Sequence, residues 1–76
     1  MTKNTFNWFK NNDKRSYIIE RSSHAGMGKY GSRWLGDNVS TLKHIPYSIY
    51  GTMMMNIFGI PLAGADICGF GDDTTA

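Results

Sequence analysis

Seventy-six residues make up about half an ordinary domain, below the size at which one hydrophobic core comfortably stabilises a chain. Two Trp, four Tyr, four Phe and five Met supply enough apolar surface to fold, which argues against disorder. Eight Lys and Arg against six Asp and Glu leave a net charge of +2, too small and too scattered to mark a nucleic-acid partner.

The chain opens on Thr2 to Asn11, where Phe6, Phe9 and Lys10 fall at helical spacing with Trp8 beside them. That spacing predicts a short amphipathic helix, stopped by Asn11-Asn12-Asp13. Ser16 to Glu20, a β-branched and aromatic run bounded by polar residues, predicts a buried strand. Residues 22–31 hold three Gly, two Ser and one Ala and read as a loop with at most one helical turn. Ser32 to Leu35 then reads as a short strand ending at Gly36. Asn38 or Ser40 is a reasonable helix cap, but Pro46 would break a helix begun at Ser40. The expected layout is a turn through His44 and a main helix from about Pro46 to Phe58. Ile45, Ile49, Met53 and Ile57 recur every four residues and predict its buried stripe. Gly59 reads as the glycine that ends it. Ile60 to Ala65 follows as an apolar strand buried on both faces.

The longest apolar region, Ile49 to Leu62, is interrupted by Gly51, Thr52, Asn56, Gly59 and Pro61, so no stretch reads as a membrane span. The first fifteen residues lack the apolar run of a secretory signal. Cys68 is the only cysteine and offers neither an internal disulfide nor a metal cluster. His24 and His44 have no ligating neighbours and are expected on the surface; no metal or cofactor is expected. No internal repeat is present. The order helix, strand, loop, strand, helix, strand predicts an α/β fold of βα units on a parallel sheet. Arg21, Asp37 and Asp66 then follow three successive strands. Barrels of the (β/α)8 type assemble their active sites from such strand ends.

Taken singly, each of these residues has an ordinary reading. Asp37, in Gly36-Asp37-Asn38, suits a loop or cap. Arg21 suits a solvated cation, Asp66 a helix cap, and Trp34 and Phe70 a core. Their surroundings are more specific. Arg21-Ser22-Ser23, Gly26-Met27-Gly28-Lys29-Tyr30 and Arg33-Trp34-Leu35-Gly36-Asp37-Asn38 come first. Phe58-Gly59-Ile60-Pro61 then leads into Gly64-Ala65-Asp66-Ile67-Cys68-Gly69-Phe70. Together they resemble the second half of the catalytic barrel of glycoside hydrolase family 31, and within it the maltase and lysosomal-type α-glucosidases. The resemblance spans nearly the whole chain, most clearly residues 14–70.

The resemblance implies a partial (β/α)8 TIM barrel, with residues 1–76 covering roughly the fifth to seventh strands and no complete domain. On this view Met1 is an internal methionine, and Cys68 has a partner beyond Ala76. The implied activity is retaining hydrolysis of terminal α-linked glucose from malto-oligosaccharides. Asp37 is implied as the general acid/base, a carboxyl that must be protonated to assist the leaving oxygen. Arg21 and Asp66 are implied in the substrate pocket, with Trp34 and Phe70 as its walls. The nucleophilic Asp of such a site lies on an earlier strand outside this chain, so the chain alone is expected to be inactive. A secretory, lysosomal or extracellular setting is implied. Two other readings stay open: an inactive remnant or truncated gene product, and an α-xylosidase-type member of the same family. His24, Leu42, Pro46 and Met54 depart from the family pattern, none at a position implied in the chemistry. Asn38-Val39-Ser40 matches a glycosylation sequon, but a glycan beside Asp37 would block the pocket, and the match is expected to be fortuitous.

Overall fold

The computed structural model describes residues 1–72, and within them the chain forms two helices, three short strands and one turn of 3-10 helix. Helix α1 spans Thr2–Asn11 as its spacing predicts. It ends where Asp13 takes the left-handed conformation at φ 53°. Lys14 N–H then reaches back to the Phe9 carbonyl at 2.9 Å, and Asp13 N–H to that of Lys10 at 3.2 Å. This pair of backward bonds satisfies carbonyls that a helix end leaves unpaired. The Phe6 ring meets the edge of Tyr30 at 5.5 Å, and the Thr2 hydroxyl donates to the Glu20 carboxylate, so α1 is tied to the sheet.

Strands β1 (Ile19–Glu20), β2 (Ser32–Trp34) and β3 (Ala63–Gly64) form one parallel sheet in that order. Ile19 lies opposite Ser32, and Arg33 opposite both Glu20 and Ala63. The outer strands are shorter and less buried than their composition predicts. Only Ile19 and Glu20 pair in β1, and Ile19, like Tyr17 before the strand, is exposed because none of the described elements packs over its side chain. In β3 only Ala63 and Gly64 join the ladder, and Pro61 and Leu62 are exposed. Ile60 is withdrawn from the strand to close the preceding helix.

Between β1 and β2, Met27–Lys29 make the 3-10 turn, entered through Gly26 at φ 84°. Met27 is 1% exposed and Ile60 3%, and they are the buried hydrophobic residues of the described chain. Gly28 lies between them, so close to the Gly59 carbonyl that a Cβ would overlap it. Glycine is required there by contact rather than by conformation.

Helix α2 spans His44–Ile57, starting two residues before the expected point. Pro46 is its third residue, where a missing amide costs no intrahelical bond. The helix closes through Gly59 at φ 82°. Gly59 N–H bonds the Asn56 carbonyl at 3.0 Å, and Ile60 N–H that of Met55 at 2.9 Å. The expected buried stripe is overturned: Ile45, Ile49, Met53 and Ile57 are all exposed. The face that packs is His44, Ser48, Gly51, Thr52 and Met55, all half-buried and at true helical spacing. Gly51 brings the helix down onto Leu35, whose Cδ1 would lie 2.8 Å from any Cβ added there. Small residues let the helix approach the sheet, and its large ones face outward.

The result is an open slab rather than a closed core. Its surface is 6005 Å², against about 4,700 Å² for a compact globule of this mass. Its radius of gyration is 14.5 Å, against about 11 Å for a compact chain of this length. Apolar surface of this kind drives association. Purified residues 1–76 should therefore self-associate or expand, with a concentration-dependent elution volume and scattering mass above the 8.5 kDa monomer. A monomer with a cooperative thermal transition would contradict this.

Candidate active site

Three strand exits bring the polar residues together. Arg21 follows β1 directly, Asp37 leaves β2 across Gly36, and Asp66 leaves β3 across Ala65. Gly36 is buried with φ 90°, a conformation open to glycine, and it turns the chain at the end of β2. It also leaves room for Arg21, whose Nε would lie 2.8 Å from a Cβ at this position. Laid over Gly36, the Arg21 guanidinium reaches Asp37, with Nη2 3.9 Å from Oδ2. The same guanidinium lies 5.3 Å from the centre of the Trp34 ring. Trp34 in turn donates its indole N–H to Asp66 Oδ1 at 3.1 Å.

Four of the five candidate residues thus form one continuous chain of contacts: Asp37, Arg21, Trp34, Asp66. The fifth, Phe70, is attached through its backbone, donating its N–H to the Asn38 carbonyl at 2.8 Å, and its side chain is exposed. The side chains of Arg21 and Asp37 are 60% and 42% exposed, so this end of the sheet is accessible to a ligand. Trp34 and Asp66 also line a cleft of about 560 Å³ with Tyr17, Ile19 and Leu62. A larger open groove of about 1120 Å³ runs along α2 beside residues 65–69, and neither cleft is lined by Arg21 or Asp37. Among the described residues no three His, Cys, Asp or Glu side chains are grouped to hold a metal ion. None of the described helices is long and apolar enough to cross a membrane.

A second set of residues holds the loops in place, and sequence spacing does not single it out. The Asn38 amide donates to Ser48 Oγ at 3.2 Å and to the Asp66 carbonyl at 3.3 Å. Ser48 Oγ donates to the His44 carbonyl at 3.1 Å. Val39 N–H donates to His44 Nδ1, also at 3.1 Å. His44 is therefore half-buried at the start of α2 rather than in a solvated turn, while His24 is exposed as expected. Arg33 donates to Ser23 Oγ at 2.6 Å and so fastens the residues after Arg21 to β2. Beyond Asn38, Ser40 N–H bonds the Gly71 carbonyl at 2.8 Å, and Gly69, at φ 88°, passes too close to Ser40 to carry a side chain. The one available signal for this set is the half-polar stripe of α2, which a search for apolar periodicity passes over.

Comparison with known proteins identifies the family of the chain. Human intestinal sucrase-isomaltase is 49% identical over 63 residues, which is 83% of this chain and 3% of that protein. A probable alpha-glucosidase of Oryza sativa subsp. japonica is 45% identical over 62 residues, covering 82% of this chain and 7% of the relative. Lysosomal alpha-glucosidase of Rattus norvegicus is 44% identical over 66 residues, covering 87% and 7%. The chain thus spans a small part of the length of each of these relatives. The family model described as the glycosyl hydrolases family 31 TIM-barrel domain matches residues 1–76, and the chain belongs to that family.

Proposed function

We propose that residues 1–76 form the acid/base side of a retaining α-glucosidase site, as roughly the fifth to seventh strands of a (β/α)8 barrel. The observation that carries this reading is the contact chain from Asp37 through Arg21 and Trp34 to Asp66, drawn from the exits of three adjacent parallel strands. The names of the relatives support the substrate class, terminal α-linked glucose.

In this reading Asp37 is the catalytic residue. Its carboxyl gives a proton to the glycosidic oxygen as the bond from the anomeric carbon to that oxygen breaks. A carboxylate on another strand bonds to the same carbon, about 5 Å from Asp37 across the sugar. Asp37, now ionised, then takes a proton from the water that displaces the nucleophile, which restores both groups and the anomeric configuration. Arg21 presents its planar fork of N–H donors to sugar hydroxyls beside Asp37. Trp34 offers an aromatic face for the C–H surface of the ring, oriented by its bond to Asp66. Phe70, whose side chain is exposed beside the loop of Asn38, is read as a further wall.

The nucleophile comes from outside these residues, so the isolated chain should not turn over maltose or an aryl α-glucoside. Hydrolysis above a heat-treated control, abolished by Asp37→Asn, would refute that division of labour. The roles themselves can be read in a chimera in which this segment replaces the one it matches in human sucrase-isomaltase. Asp37→Asn should lower kcat on maltose by about 10²–10⁴-fold. It should lower kcat much less on α-glucosyl fluoride, whose leaving group needs little protonation. Equal loss on both substrates would show that Asp37 is not the acid. Arg21→Lys should raise KM more than it lowers kcat, since one ammonium cannot reproduce the guanidinium fork. Gly36→Ala should raise KM as well, because the added methyl takes the space of Arg21, and should also lower kcat, because a side chain at φ 90° strains the backbone next to Asp37. An unchanged KM in both would remove Arg21 from the sugar subsite.

A further inference from the structure

We propose that Asn38 is a positioning residue for Asp37, acting with Ser48 as its anchor on α2; this rests on the acid/base reading of Asp37. Asn38 is next to Asp37 in the chain and joins three elements at once. Its amide nitrogen uses both of its protons, one on Ser48 Oγ at 3.2 Å and one on the Asp66 carbonyl at 3.3 Å. Its backbone carbonyl accepts the Phe70 N–H at 2.8 Å. The loop after β2 is thereby fixed to the helix that follows it and to the loop after β3. Asp37 itself is held by one long contact, 3.9 Å to an exposed Arg21. A surface pair of that length contributes little fixed geometry. The position from which the Asp37 carboxyl projects is thus set by its backbone, which is held on one side by the turn at Gly36 and on the other by Asn38.

Ser48 is suited to the anchoring role. It accepts from Asn38 while its own proton goes to the His44 carbonyl one turn back at 3.1 Å, so its lone pair is directed at the loop. It lies on the half-buried face that α2 packs against the sheet, and that packing gives the anchor a fixed position. The Asn38 amide is thus engaged inside the fold.

Misplacing a general acid costs rate without removing sugar contacts, and a shift near 1 Å can cost about 10²-fold. The test uses the same chimera with Asn38→Leu, Ser48→Ala and Ser48→Thr, assayed on maltose and on α-glucosyl fluoride. Asn38→Leu should lower kcat on maltose by about 10²-fold with KM changed less than about twofold, and should spare the fluoride. Ser48→Ala should show the same split more weakly, and Ser48→Thr, which keeps the hydroxyl, should restore it. Thermal transitions identify folding loss, which lowers active-site concentration equally for both substrates. Equal losses on the two substrates, or Ser48→Thr no better than Ser48→Ala, would overturn the proposal while the Asp37→Asn split stands. Loss of the Asp37→Asn split would overturn the acid/base reading itself, and this proposal with it.

Discussion

Among the described residues strand β2 is the one strand bonded on both edges, and the placement of Arg21, Asp37 and Asp66 depends on it. Its amides alternate between neighbours: Ser32 N–H bonds the Ile18 carbonyl at 2.7 Å, Arg33 N–H that of Leu62 at 2.9 Å, and Leu35 N–H that of Gly64 at 2.9 Å. Those bonds set the height of β1 and β3 against β2, so that Arg21, Asp37 and Asp66 leave the sheet at the same end. The pleat does the rest. Consecutive side chains point to opposite faces, so Leu35 meets Gly51 of α2 while Trp34 reaches Asp66. A one-residue slip of this strand would exchange those faces and dissolve the cluster.

The packing of α2 shows why part of the fold was legible in the sequence and part was not. Helix ends follow local chemistry, and Asn11-Asn12-Asp13 and Gly59 marked both of them. The existence of three strands and their parallel order followed from alternation with helices, and the exits of those strands located Arg21, Asp37 and Asp66. The buried face of α2 could not be found the same way. Periodicity in large apolar residues identifies a face that will be covered by something, and in this chain Ile45, Ile49, Met53 and Ile57 face away from the sheet. The face that touches the sheet is chosen by smallness, with Gly51 on Leu35 and Ser48 bound to Asn38. Hydropathy registers none of that. The lengths of β1 and β3 were misjudged for a related reason, since an apolar run reports what prefers burial and not how many ladder partners it finds.

Met27 and Ile60 are the buried apolar residues of the described chain, and Gly28 and Gly59 meet beside them. Gly28 presses on the Gly59 carbonyl, and Gly59 is also the left-handed residue that ends α2. One pair of glycines therefore joins the turn before β2 to the end of the helix before β3. The motif Gly-Met-Gly-Lys-Tyr and the motif Phe-Gly-Ile-Pro, distant in sequence, are two sides of one contact.

On the proposed reading, with Asp37 as the acid and Arg21 as a donor to sugar hydroxyls, the contrast between firm and loose contacts at the strand ends has a mechanistic meaning. Trp34 and Asn38 are held by part-buried hydrogen bonds to the loop after β3 and, for Asn38, to α2 as well. Arg21 is held by a cation–π contact and a long ion pair, each worth about 1 kcal/mol or less at exposed sites. The walls and the backbone beneath Asp37 are therefore fixed before a ligand arrives, while the guanidinium can turn from Asp37 and Trp34 to a sugar hydroxyl at small cost. A binding donor benefits from that freedom, because it can follow different hydroxyl patterns. A general acid does not, because its proton must meet one oxygen along one line. The fold places its rigidity accordingly, next to Asp37 in the chain and away from Arg21.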